Sequence, residues 1–283
     1  MTSGWLLLIV PGLIWGASFL FIAEGLRSIG PNGVSFVRIC IGFATLSLFP
    51  TARKPVARAD WASVAWLGLL WFAFPLSMFP FAEQRVSSAL TGMLNGANPL
   101  FATLVASYVL RRAPSRGVVA GLAVGLTGAV LMAIPAIDQG HSSSVGVAMI
   151  LAALISYGFA ISIARALQQK YGAVPVIWRA QAAGLILTAP LGIPDLIGAQ
   201  WSVFPLLSLI ALGAFGTGIA YVLMALAAGR FGAARASGTT FLIPVVALGL
   251  GVAVLREKVA LLSVAGGMIC LIGAWLMKRA ASH

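Results

Sequence analysis

Few residues in this 283-residue sequence could carry bond-making chemistry. There are two histidines, His141 and His283. The two cysteines, Cys40 and Cys270, both lie inside apolar runs and read as small buried hydrophobes rather than as a disulfide or a metal site. A zinc site or a histidine-based triad therefore has no material to work with. All six acids (Glu24, Asp60, Glu83, Asp138, Asp195 and Glu257) fall at the ends of apolar runs or between them. No catalytic residue, metal or cofactor is expected.

What remains is uncharged and aromatic. Asn95 and Asn98 are spaced i, i+3 on one helical face just before Pro99, and Thr239 and Thr240 occupy comparable depth later in the chain. Trp15 and Ser18 share a face of the first apolar run, and Tyr157 and Tyr221 lie within later ones. Such a lining suits a small polar organic solute, whose apolar part meets the rings and whose polar head meets amides and hydroxyls. The alternative is that the asparagines and threonines bond between helices while the aromatics only pack. Arg38 and Arg179 lie within apolar runs. Each either snorkels or binds carbonyls near a helix end, or attracts a carboxylate in a solute pathway.

The elements that must position these residues are membrane helices. The chain is 60% hydrophobic and 8% charged, with a mean hydropathy of +1.03, whereas a soluble domain carries about 25% charged residues. A cytosolic globular enzyme is excluded. Apolar runs occur ten times, at roughly 4–23, 34–50, 61–81, 87–110, 117–134, 145–165, 173–193, 203–226, 233–254 and 260–277, and a span takes ~20 residues. No length is left for a soluble catalytic domain. The first run lacks a basic stretch before it (Met1-Thr2-Ser3) and a small-x-small cleavage site, so it reads as a retained helix.

The net charge of +12 would suggest nucleic acid in a soluble chain. Here the basic residues sit at the ends of apolar runs, as topology determinants do. With ten spans, twelve lysines and arginines fall on the side holding both termini: Arg53, Lys54, Arg58, Arg111, Arg112, Arg116, Arg165, Lys170, Arg230, Arg235, Lys278 and Arg279. Four fall opposite, namely Arg27, Arg85, Arg256 and Lys258. That bias places both termini in the cytoplasm. The partners expected are membrane lipid and a small-molecule substrate, with no nucleic acid, and a monomer suffices.

The second half copies the first. Setting Ala89–Met132 on Ala234–Met277 without a gap gives 14 identities in 44 positions, among them Pro99 on Pro244, Val119-Ala120-Gly121 on Val264-Ala265-Gly266, and Leu131-Met132 on Leu276-Met277. Upstream, Trp15 falls near Tyr157 and Arg38 near Arg179. The halves are 1–138 and 139–283. Five helices each, an odd number, invert the second half against the first, a transporter architecture in which one half can mimic the conformation of the other. The expected fold is an all-α integral membrane protein of ten transmembrane helices in two inverted five-helix repeats. Pro99 and Pro244, expected mid-helix, are either paired hinges or static kinks. Glycines spaced by four (Gly12 with Gly16; Gly117, Gly121 and Gly125) allow close helix packing.

These residues match a known pattern. Trp15-Gly16-Ala17-Ser18-Phe19, Phe36-Val37-Arg38, Ile177-Trp178-Arg179, Asn98-Pro99, Ile243-Pro244 and Arg256-Glu257-Lys258, with the Gly-rich fifth and tenth helices, resemble the EamA branch of the drug/metabolite transporter superfamily over the whole chain. The family often ends its fourth helix with Gly-Glu, where this sequence reads Leu110-Arg111-Arg112. Within the branch the chain is similar to the YddG-type amino-acid exporters of bacterial inner membranes. The resemblance implies export of aromatic and other amino acids, or similar small metabolites, through a central cavity by alternating access. With no acid expected at mid-membrane, the transport is expected to be uncoupled from protons. The alternatives are multidrug efflux of lipophilic cations, and nucleotide-sugar or sugar-phosphate exchange. A membrane-embedded enzyme would need a cluster of acids, histidines or metal ligands within the membrane that the sequence does not offer.

Overall fold

A computed structural model describes residues 3–111, 113–232 and 236–280; all the secondary structure among them is helical. The chain runs α1 (Ser3–Gly25), α2 (Pro31–Ser47), α3 (Arg58–Glu83), α4 (Ser88–Asn95 and Asn98–Leu110), α5 (Arg116–Ile137), α6 (His141–Tyr171), α7 (Ala173–Ile197), α8 (Val203–Phe231), α9 (Ser237–Ala253) and α10 (Leu261–Ala280). Seven of these are long and apolar enough to cross a membrane, and α4 is an eighth if its two parts make one span. At 17 residues α2 is short of the ~20 that a span takes, and of the run expected at 233–254 the described helix α9 covers 237–253. Arg112 and Arg235, two of the twelve residues in the charge count, and Ala234, which begins the aligned repeat, lie outside the described residues, as does His283.

Large apolar side chains cover the outside. Ile186, Leu187 and Leu191 of α7 and Met268, Ile272 and Trp275 of α10 are exposed, as lipid-facing positions are. Inside, Gly128 meets the Gly266 carbonyl and Gly121 meets the Gly273 carbonyl, so that α5 and α10 run in backbone contact. Only glycine permits this approach: a Cβ on Gly128 would lie 2.6 Å from the Gly266 oxygen.

The packing is reciprocal. Under the sequence alignment that sets Pro99 on Pro244, α5 packs on its counterpart α10 and α4 on α9; α2, whose Arg38 falls near Arg179 in sequence, packs on α7. Where α3 packs on α7, α8 packs on α2; where α4 packs on α6, α9 packs on α1. The backbone repeats too. Arg111 (φ 50°) ends α4 and Arg256 (φ 56°) follows α9, and they are the two non-glycine residues with positive φ among those described. They are also aligned counterparts in sequence.

Two expectations about α4 need correction. A continuous helix over 87–110 with Pro99 at a mid-helix kink was expected, but the helix breaks at Gly96–Ala97 and its two parts are bent by 42°. Pro99 sits in the first turn of the second part, where a missing N–H costs nothing and the fixed φ suits a helix start. Pro244 likewise stands near the start of the regular helix Leu242–Ala253, after a tight turn over Ser237–Phe241. Asn95 and Asn98 therefore flank a break rather than sharing one uninterrupted helical face.

Candidate functional site: an aromatic cluster beside wide helical turns

α3 and α8 each contain a widened turn, Gly68–Ala73 and Leu212–Ile219, where the regular ladder is interrupted. In α3, Pro75 stands two residues past the turn and has no N–H to give; in α8 the turn holds three glycines. Carbonyls released this way must find partners, because lipid offers none. Side chains supply them. Ser156 Oγ donates to Leu70 O at 2.8 Å, Trp15 Nε1 to Gly216 O at 3.0 Å, and Gln181 Nε2 to Thr217 O at 2.6 Å.

These bonds assemble an aromatic cluster. Tyr221 lies edge-on to Trp15 (ring centroids 5.5 Å apart) and to Trp71 (5.8 Å), with Phe72 at 5.6 Å. A second set follows along α3, where Phe79 meets Tyr157 at 6.0 Å and Phe19 at 5.7 Å. Arg38 of α2, buried at 5% exposure, donates from Nε to Thr217 Oγ1 at 3.2 Å and lies within electrostatic reach of Tyr157, Tyr221 and Glu83. The structure thus brings Trp15, Tyr157, Tyr221 and Arg38 to one region.

The other candidates are bonded otherwise. Ser18 Oγ lies against Gly216 of the same widened turn but donates to Ile14 O of its own helix at 2.9 Å. Thr239 Oγ1 donates to Leu8 O at 2.7 Å, bonding α9 to α1, and Thr240 Oγ1 donates to Ser237 O within its own turn. Arg179 Nη1 donates to Ala52 O at 3.1 Å and Pro175 O at 3.2 Å, and its guanidinium lies over the Trp178 ring. This is the carbonyl-binding arrangement weighed in the sequence, not a contact with the aromatic cluster. Asn95 and Asn98 each keep a buried side-chain oxygen with no hydrogen bond.

Sequence reasoning missed Glu83, Trp71, Phe79, Thr217 and Gln181. Glu83 was read as a helix-end acid. It does end α3, but both carboxylate oxygens are buried and unbonded. Its signal was available: it follows Phe79-Pro80-Phe81-Ala82 without another charge, and it lies one turn after Phe79 on the same helical face.

Two carboxylates from the second half cap helices of the first. Glu257 Oε1 accepts from Ser88 N and its Oε2 from Ala89 N, both at 2.8 Å, and Asp195 Oδ2 accepts from Gly33 N at 2.9 Å. At the Glu257 end, α4 and α9 are in tight contact: Gly92 packs against Ala247, and Ala89 against Gly251. Toward the other end the two helices part around a cleft of about 490 Å³, lined by Ala102, Thr103, Ala106, Ser237, Phe241 and Lys278 among others. Of the residues predicted from sequence, Pro99 lines this cleft, and the aromatic cluster does not.

The family profile described as the EamA-like transporter family matches the chain twice, over residues 2–134 and 144–279. An uncharacterized transporter of Archaeoglobus fulgidus is 24% identical, with 97% of this chain and 98% of the relative covered. A probable terminal-alkyne amino-acid exporter of Streptantibioticus cattleyicolor is 26% identical, covering 96% of this chain and 92% of its own. The uncharacterized transporter YdfC of Bacillus subtilis is 27% identical over 92% of this chain and 86% of its own. A crystal structure at 18% identity shares the fold, with a TM-score of 0.65 over 98% of this chain and 96% of that one.

Proposed function

Because the chain belongs to the EamA-like transporter family, we propose that it is a carrier exporting amino acids, aromatic ones among them, or similar small metabolites. In this reading it lies in a bacterial inner membrane with both termini cytoplasmic, and it works by alternating access without a coupled proton. Its halves, 1–138 and 139–283, are inverted repeats of five spans each, with α2 and α9 counted as spans beside their longer counterparts α7 and α4.

One observation carries this reading. Gly92 packs against Ala247, while the aligned counterparts of those two residues, Ser237 and Ala102, stand on the walls of the open cleft. A crossing that is shut at one end and open at the other, and built from two copies of one pattern, has a second arrangement available. In it Ala102 meets Ser237 and Gly92 parts from Ala247, and exchanging the two arrangements moves the opening across the membrane. The reciprocal packing and the double family match support the same reading. The aromatic cluster suits an apolar or aromatic side chain, and the similarity to a probable amino-acid exporter points to the same substrate class.

The test is transport by purified protein in liposomes loaded with labelled amino acids. Flux above protein-free liposomes is expected. Silence toward every amino acid, with efflux of a lipophilic cation such as ethidium instead, contradicts the reading. Flux that follows an imposed pH gradient at constant substrate protonation contradicts its uncoupled part.

A further inference from the structure

Two ionisable groups of opposite sign stand inside the bundle without forming an ion pair. Arg38 is bonded through Nε to Thr217, and among the described residues no carboxylate pairs with it. Glu83 has both oxygens buried and neither hydrogen-bonded. A lone ion in such a place is costly unless an opposite charge arrives with hydrogen bonds of its own. The two groups lie within electrostatic reach of one another, yet among the described residues they form no ion pair.

Their placement on the helices accounts for this. Ser35 Oγ donates to Leu76 O at 2.9 Å, which fixes the level at which α2 and α3 meet. Arg38 lies one turn beyond Ser35 on α2, and Glu83 lies two turns beyond Leu76 on α3, which returns alongside α2. Helical side chains lean toward the N-terminus of their own helix, so these two lean toward each other. Both border the aromatic cluster: Phe79, on the Glu83 face, meets Phe19 and Tyr157, while Arg38 bonds Thr217 of the widened turn and lies within reach of Tyr157 and Tyr221. Glu257 is also within electrostatic reach of Glu83, but its two oxygens are taken by Ser88 and Ala89.

We propose that Arg38 and Glu83 form a clamp for a zwitterion, in which the Arg38 guanidinium takes the α-carboxylate of an amino acid and the Glu83 carboxylate takes its α-ammonium, with the substrate's side chain against Tyr157 and Tyr221. This rests on the amino-acid export reading and narrows it to solutes that carry both charges. A guanidinium fork matches a carboxylate, and an ammonium has three donors to offer two unbonded oxygens. With both groups ionised, the loaded site is neutral overall.

The test measures inhibition of labelled-leucine and labelled-phenylalanine flux by analogues that lack one charge. For phenylalanine these are phenethylamine, without the carboxylate, and 3-phenylpropionate, without the ammonium; for leucine they are isoamylamine and 4-methylpentanoate. In the unmodified protein, each analogue is expected to compete at least tenfold more weakly than the parent amino acid. Glu83→Gln is expected to lose at least tenfold in apparent affinity for the amino acid and to stop discriminating against the acid. Arg38→Gln is expected to stop discriminating against the amine. Glu24→Gln, which removes the acid partnered with Arg27 by an exposed bond, serves as the control. If the analogues compete as well as the parent in the unmodified protein, or if a well-folded Glu83→Gln keeps full affinity, the clamp is wrong while amino-acid export stands. If no amino acid moves at all, the export reading falls and the clamp with it.

Discussion

The Glu257 carboxylate caps Ser88, taking its backbone N–H at 2.8 Å and that of Ala89 at the same distance. The bond ties the segment after α9 to the start of α4 at the end where Gly92 meets Ala247. A carboxylate there answers both the free N–H groups and the positive end of the helix dipole. In the aligned sequence Glu257 falls on Arg112, which lies outside the described residues. An arginine cannot accept such bonds, so the sequence provides this latch at one end of the crossing and not at the other.

Glu257→Ala is therefore expected to destabilise the protein by about 1 kcal/mol, the usual cost of a lost helix cap. It should appear as a lower midpoint in thermal unfolding of the detergent-solubilised protein. Glu257→Gln, which keeps one acceptor, should fall between. An unchanged midpoint for both variants means that the cap holds nothing.

At the α5–α10 seam the neighbours of Gly121, Gly128, Gly266 and Gly273 are backbone atoms and cannot rotate away. Gly128→Ala is expected to cost about 1–3 kcal/mol by overpacking, because the new methyl group would press on Gly266 O and Cys270 N. Gly249→Ala, where no atom lies within 4 Å of a Cβ, should leave the midpoint unchanged or slightly raised. Equal effects at the two positions contradict the close approach.

Trp15 does two things, bonding Gly216 O and flanking Tyr221. Trp15→Phe keeps a ring and loses the N–H, leaving a carbonyl of the widened turn unbonded at a cost of about 1–3 kcal/mol. Tyr221→Phe, which keeps every ring contact, should cost less in thermal unfolding. The reverse order would mean that the indole bond is dispensable.

Thr239 tests a different distinction. Its hydroxyl is spent on Leu8 O, so Thr239→Val should lower the unfolding midpoint while the ranking of amino acids in a competition assay stays as it was. A changed ranking would return Thr239 to the substrate site.

Much of this architecture is legible in the sequence because it follows from patterns that sequence carries. Long apolar runs give helices, but the alignment of Ala89–Met132 on Ala234–Met277 says which segments correspond and not which ones touch; that α5 lies on α10 and α4 on α9 comes from the structure. The break in α4 is not legible in this way: Pro99 is equally compatible with a kinked helix and with the first turn of a new one, and only the released turn at Gly96–Ala97 decides between them. The candidate site is half legible. Trp15, Tyr157, Tyr221 and Arg38 are conspicuous as polar or aromatic residues in apolar surroundings. Thr239 and Ser18 look the same in sequence, and only their donors' proximity to a carbonyl shows that they are spent. Glu83 escapes notice because a helix-end acid is normally solvated, whereas the neighbouring helices fold over this one.

The exchange between a shut and an open end of the α4–α9 crossing is tested most directly by Ala102→Cys with Ser237→Cys, in a chain whose own Cys40 and Cys270 are replaced by alanine. These positions face the open cleft, and their aligned counterparts, Ala247 and Gly92, are in contact. A short bifunctional thiol reagent should bridge them only during substrate turnover, and the bridged protein should stop transporting until it is reduced. Transport that continues with the pair bridged, or a pair that never bridges in an actively transporting protein, contradicts the exchange.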